Sequence, residues 1–273
     1  MKKKKAKKKK EDKKRQAKKV RIVLIVLILS ILVLSSLFFI LTYVKTIEIF
    51  KDITKTSPKP IEFTAKKPLA NSTQAIAYLP AVDNEGNGVL TLLSVEAVPG
   101  SGRTLVDIDN ILFWGDTQHS IRIAKNVASN ITGIDANNYD LVYNIYANAS
   151  VIGGESAGAA LTLATISVLQ NKPLSKDVII TGTINHDGTI GPVQSILAKA
   201  KAARENEALV FLVPLLQSRE ITYETHKYCD KFGGIEFCKE EQVPKRINIS
   251  EEAGIEVIEV GSISEAMKYF FKD

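Results

Sequence analysis

Residues 153–206 read GGESAGAALTLATISVLQNKPLSKDVIITGTINHDGTIGPVQSILAKAKAAREN, and the order of elements inside this stretch decides the fold. Residues 156–170 are almost uniformly apolar or small, as in a helix buried on every side. VIITGTI (178–184) is a short β-branched run and reads as a buried strand. It turns at His186, Asp187 and Gly188. Gly191 and Pro192 then precede a helical pattern that runs to about Asn206. A turn, a buried helix, a buried strand and a second helix place the chain in the α/β (α+β) class, with a mixed sheet and packed helices.

The flanks extend this pattern. LVFLV (209–213) is another buried strand, and IEVIEV (255–260) leads into a helix with a capping box at Ser262 and Glu265. Upstream, residues 88–98 read as a strand. Residues 99–102 (PGSG) form a bracket, and TLVDIDNILF (104–113) is expected to return beside that strand. Asp116 is a candidate cap for a helix over 117–130, with Ile121, Ala124, Val127 and Ala128 on its apolar side. LVYNIYA (141–147) reads as a strand. No long internal repeat is present.

Ser156 sits where a strand-to-helix turn meets the buried helix. Gly154, Glu155 and Ala157 surround it, and the small residues allow close backbone approach. The first N–H groups of a helix lack intrahelical partners and can hold an oxyanion. The same pattern also suits a plain serine cap beside helix-packing glycines. On the helix from Val193 the apolar side carries Val193, Ile196, Ala200 and Ala203. Lys199 and Lys201 flank opposite edges, where either can snorkel to water. The literal motif of residues 154–158, G-x-S-x-G, also suits an α/β-hydrolase elbow with His226 and either Asp187 or Glu224. No G-x-x-x-x-G-K-[ST] phosphate loop occurs.

The whole stretch 153–206 resembles, without a gap, the proteolytic domain of Lon-type serine–lysine peptidases. In that family a G-x-S-[AG] serine is followed by an apolar helix, a strand ending Thr-Gly, a glycine turn and a helix with the catalytic lysine. The resemblance assigns the serine to Ser156 and the strand end to Thr181 and Gly182. It assigns the lysine to Lys199, 43 positions beyond the serine. It covers roughly residues 85–215 and implies cleavage of unfolded or flexible polypeptide through an acyl-enzyme, with Thr181 orienting the lysine. It implies no metal and no cofactor. Related domains assemble into rings, so a hexamer is what the resemblance implies for self-association. Many family members carry Asp and Pro where this chain has Gly153 and Glu155. Members with an acid directly before the serine give Glu155 a precedent. Its carboxylate is expected to face away from Lys199, because a facing charge would raise the lysine pKa. Thr183 and Asn185 stand where the family often carries charge, which leaves substrate preference open. Residues 216–250 look like an insertion. Without a phosphate loop, the chain resembles the stand-alone, ATP-independent relatives. A tethered binding module of the same fold is the non-enzymatic reading.

Charge is distributed unevenly. The net charge is +6, yet residues 1–21 hold 14 Lys and Arg against two acids, while residues 60–273 hold 18 basic and 26 acidic residues. The acidic C-terminal part argues against a nucleic-acid-binding domain, which needs clustered Lys and Arg. Residues 22–44 (IVLIVLILSILVLSSLFFILTYV) are 23 residues without a charge. As a helix they span about 35 Å, enough for a hydrocarbon core of roughly 30 Å. The run is too long for a signal-peptide core. The expected organisation is therefore a basic cytoplasmic tail (1–21), a single transmembrane helix in the cell membrane (22–44), a stalk (45–61) and the folded domain (62–273). The positive-inside rule places that domain on the extracytoplasmic side. Three histidines (His119, His186, His226) and two cysteines are too few for a histidine-rich or four-cysteine metal centre. Cys229 and Cys238 flank a Gly-Gly turn and, in an oxidising compartment, are candidates for a disulfide. A reduced pair fits the sequence equally well.

Overall fold

The computed structural model describes residues 65–108, 112–147, 151–152 and 154–271, together with Ser35, Phe38 and Lys45. The expected tail, span and stalk lie outside the described residues except for those three, which are helical. Among the described residues no helix is long and apolar enough to cross a membrane. By internal packing the chain divides into Met1–Lys59 and Pro60–Asp273, and the described strands all belong to the second unit.

Chain order in that unit is β1 (Thr73–Val82), β2 (Gly88–Pro99), β3 (Thr104–Val106), β4 (Leu112–Phe113), α1 (Gly115–Thr132), β5 (Tyr139–Tyr146), β6 (Val151–Ile152), α2 (Gly158–Gln170), β7 (Val178–Ile180), β8 (Thr183–Ile184), β9 (Ile190–Gly191), α3 (Ile196–Glu205), β10 (Val210–Pro214), β11 (Arg219–Phe232), β12 (Ile235–Asn248), α4 (Ile249–Ala253), β13 (Glu256–Val260) and α5 (Ile263–Phe270). The largest sheet has the order β1-β2-β5-β3, and a parallel sheet has the order β13-β10-β7.

Burial explains the helices. Twelve residues of α2, Gly158 to Leu169, are buried, as its apolar sequence requires. Its Leu161 and Ala164 share a core with Ile121 and Ala124 of α1 and with Leu93, Val95, Leu141 and Tyr143 of the large sheet. The Tyr143 hydroxyl, driven to a high pKa by burial, is satisfied by the Thr165 hydroxyl at 2.8 Å. A second core forms where Ile196, Ala200 and Ala203 of α3 lie over Ile179, Phe211 and Val213. At α5, Ser262 Oγ accepts the Glu265 N–H, while Glu265 Oε2 accepts the Gly261 N–H rather than that of Ser262.

Three sequence expectations change. Thr104–Val106 does not return beside β2, because β2 already pairs with β1 on one side and β5 on the other. It lies parallel to β5 instead. The run 178–184 is two strands, interrupted at Thr181 and Gly182. The helix expected from Val193 begins at Ile196, after a left-handed Ser195 (φ 58°).

The expected insertion is a two-stranded ribbon. β11 and β12 pair antiparallel through all 14 residues of each strand. They are joined by Gly233 and Gly234 at φ 59° and 82°. Positive φ at both central residues suits a two-residue hairpin turn whose twist matches the strands. Ile221, Tyr223, Tyr228 and Phe237 are exposed, so the ribbon adds almost nothing to either core. Its root is fastened to the body. Gln217 bonds both main-chain groups of Val193 at 2.9 and 2.8 Å, and Glu220 Oε2 accepts the Leu197 N–H at 3.2 Å. Replacing residues 222–245 by Asn-Gly, which joins the paired Ile221 and Arg246, should shift Tm by less than about 3 °C in a thermal melt. A fall of 10 °C or more would show that the ribbon carries core packing.

Candidate active site

Ser156 lies in a single 3₁₀ turn, Glu155–Ala157, between β6 and α2. Two bonds tie this turn to the gap between β7 and β8. The Gly182 N–H donates to the Ser156 carbonyl, and the Gly182 carbonyl accepts the Ala159 N–H, both at 3.0 Å. Gly158 permits this approach, since a Cβ there would come within 2.6 Å of Ile184 Cγ2. Thr181 is fully buried; its N–H donates to Leu212 of β10, and its hydroxyl donates to the Ser156 carbonyl at 3.4 Å. That hydroxyl therefore faces the serine turn rather than bonding Lys199, and it keeps acceptor capacity. The N–H groups of Glu155 and Ser156 precede the first closed ring of the turn. Neither donates to a described acceptor, which leaves both able to face a developing oxyanion.

Lys199 stands on the first turn of α3. Burial separates it from Lys201, a distinction helical periodicity does not make: Lys199 is 4% exposed, whereas Lys201 is exposed. Gly88, at the start of β2, packs against the Ala198 carbonyl, so α3 is covered on the hairpin side as well as by β10. Among the described residues the Lys199 ammonium has no carboxylate partner and no hydrogen bond. Desolvation alone lowers its pKa to about 8. Glu155 is exposed and forms no described ion pair. Ser156 and Lys199 share no hydrogen bond; what joins their surroundings is Thr181, bonded to the serine turn and following Ile179 and Ile180 of the strand on which α3 packs.

One contact beside the serine turn differs from the sequence reading of Asp116 as a cap. Asp116 does not cap α1; Trp114 occupies the cap position without a side-chain bond. The Asp116 carboxylate instead accepts the Thr117 N–H at 2.6 Å through Oδ1 and the Gly154 N–H at 2.8 Å through Oδ2. No local pattern announces a bond across 38 positions. The hydrolase alternative loses its partners. Glu224 lies 3.7 Å from His226 and 2.6 Å from Lys245, and all three are exposed on the ribbon, in a sheet of its own. Cys229 and Cys238 are opposed and bonded, in the same ribbon.

The buried lysine has a thermodynamic consequence. Its folded pKa, about 8, lies below the unfolded value of 10.5. The penalty for burying the ammonium is therefore fully present below pH 8 and disappears as pH rises to 10.5. Lys199→Met should raise stability at pH 7 by about 2–3 kcal/mol in urea unfolding, with the gain fading by pH 10. A gain independent of pH would contradict the depressed pKa.

The model of the Lon protease (S16) C-terminal proteolytic domain matches residues 90–261. The archaeal Lon protease of Methanothermobacter thermautotrophicus is 27% identical over 154 residues, 55% of this chain and 23% of that protein. The Lon protease of Fervidobacterium nodosum is 31% identical over 144 residues, 50% of this chain and 16% of that protein. Lon protease 2 of Bacillus subtilis is 26% identical over 146 residues, 49% of this chain and 26% of that protein. The chain thus spans about a quarter or less of the relatives it matches. Matched over more than half its length, and with its serine turn stitched to a Thr-Gly strand end, the chain belongs to the Lon protease (S16) proteolytic-domain family, peptidases of the serine–lysine type.

Proposed function

We propose that this protein is a membrane-anchored, ATP-independent endopeptidase that cleaves unfolded or flexible polypeptides with Ser156 and Lys199. The observation that carries the reading is the lysine without a partner among the described residues, buried to 4% exposure, with a pKa lowered to about 8. A lysine at its ordinary pKa is almost wholly protonated at neutral pH and is a poor base. Burial of an unpaired ammonium costs stability, and general-base chemistry is a reason for a protein to bear that cost.

In the proposed reaction neutral Lys199 accepts the Ser156 hydroxyl proton as Oγ bonds to the peptide carbonyl carbon. The oxyanion is held by N–H groups of the 3₁₀ turn. As the tetrahedral species collapses, the C–N bond breaks and the leaving amine takes the proton from Lys199. Lys199 then takes a proton from water as its oxygen bonds to the ester carbon, and on collapse the carbon–Oγ bond breaks and Lys199 returns the proton to Oγ, which frees Ser156 and the carboxyl product. The lack of a phosphate-loop pattern within residues 1–273 supports the ATP-independent reading. The uncharged run 22–44 and the 14 basic residues before it support a bilayer anchor with the folded unit outside. The bonded Cys229 and Cys238 agree with an oxidising compartment. An impermeant thiol reagent should label intact cells only after reduction; labelling only after lysis would place the domain inside.

Cleavage of casein by the purified full chain in detergent tests the chemistry. Ser156→Ala and Lys199→Met should each lower kcat/KM by at least about 10³, while Lys201→Met stays within about twofold. The native rate should rise with pH and level off above an apparent pKa of about 8, because the base must be neutral. Equal cleavage by native and Ser156→Ala protein would leave only a binding module of this fold.

A further inference from the structure

We propose that Asp116 is a positioning residue for Ser156, its carboxylate clamping the backbone of Gly154 so that the serine turn leaves that point in one direction. The kinetic part of this inference rests on the peptidase reading above; the clamp itself does not.

Ser156 is held from both sides along the chain. On the downstream side its carbonyl and the Ala159 N–H are bonded to Gly182. On the upstream side the Gly154 N–H is bonded to Asp116 Oδ2. Gly154 has φ 109° and ψ 138°, a conformation that L residues rarely adopt. A glycine has the widest backbone freedom of any residue, so an unclamped Gly154 could re-aim everything that follows it. The nucleophile is close, since a Cβ on Gly154 would lie 3.9 Å from Ser156 Oγ.

Asp116 is built to hold such a point. Oδ1 is fixed to its own helix by the Thr117 N–H at 2.6 Å and the Thr117 hydroxyl at 3.3 Å, which leaves Oδ2 aimed at Gly154. Its place in the first turn of α1 sets it among N–H groups that lack intrahelical partners. A charged acceptor also binds an N–H more strongly than a neutral one. In turn, α1 is anchored through Ile121, Ala124 and Val127 in the main core, so the clamp transmits the rigidity of that core to the turn. Asp116 is not offered as a group that touches substrate. Losing it should displace the nucleophile and leave binding and the base alone.

Two measurements on the full chain in detergent test this. In casein cleavage, Asp116→Ala should lower plateau kcat by about 10- to 100-fold, the scale of a 1 Å misplacement. KM should stay within about twofold, and the apparent pKa of the pH profile should not move. Asp116→Asn, whose amide oxygen can still accept the Gly154 N–H, should recover most of the loss. In amide hydrogen exchange, Asp116→Ala should speed exchange over residues 154–158 by about tenfold. Thr132→Ala, which removes a 2.7 Å bond to the Ala128 carbonyl at the other end of α1, should not. A folded Asp116→Ala protein with native kcat, or equal exchange changes in the two variants, overturns the proposal. Should the native chain fail to cleave casein, the peptidase reading falls and the exchange comparison alone decides the clamp.

Discussion

The candidate site depends on two backbone hydrogen bonds that Gly182 exchanges with the serine turn and the start of α2, donating to Ser156 and accepting from Ala159. A strand would normally continue through residues 181–184. The Thr181 N–H still bonds Leu212 in continuation of the β7–β10 pairing, and the run breaks at Gly182, whose N–H and carbonyl serve the serine turn and Ala159 instead. One interruption thereby joins two sheets and a helix. The missing side chain of Gly158 is the geometric condition, since Ile184 fills the space a Cβ would need. An alanine there would push apart the elements whose approach sets the serine carbonyl.

The lysine is governed by a different force. Nothing described attracts the Lys199 ammonium; it is buried because α3 is covered on two sides, by the Phe211 face of β10 and by the β1–β2 hairpin. Packing of Ile196, Ala200 and Ala203 supplies the energy that desolvation consumes. The serine turn is arranged by hydrogen bonds and the lysine by apolar burial. The two halves of the candidate site can therefore be disturbed independently.

Much of this was legible in the sequence. The uniform apolarity of residues 158–169 specifies a helix buried all round, and the apolar runs of β7 and β10 specify strands covered on both faces. β1 was not legible: Pro80 and weak alternation disguise it. A proline survives there because β1 is the edge of its sheet, where one side of the strand needs no partner. Nor could periodicity choose between Lys199 and Lys201, since both border the same stripe and only the second covering layer distinguishes them. The Asp116–Gly154 bond was hidden for a related reason, in that aspartate in a first helical turn is common for local causes alone.

The ribbon has a property that its covalent link determines. Its two faces carry mixed charge and scattered aromatics, with no buried side to dictate how the strands align, and such a pair is prone to slip. A slip of a single residue would exchange every side chain between the faces and separate Lys245 from Glu224. Cys229 and Cys238 sit directly opposite each other with Cα atoms 4.1 Å apart, so the bond between them permits only one register. Reduction would leave the body of the protein intact and remove this covalent pin, leaving the Gly233-Gly234 turn and the fastened root to hold the alignment alone.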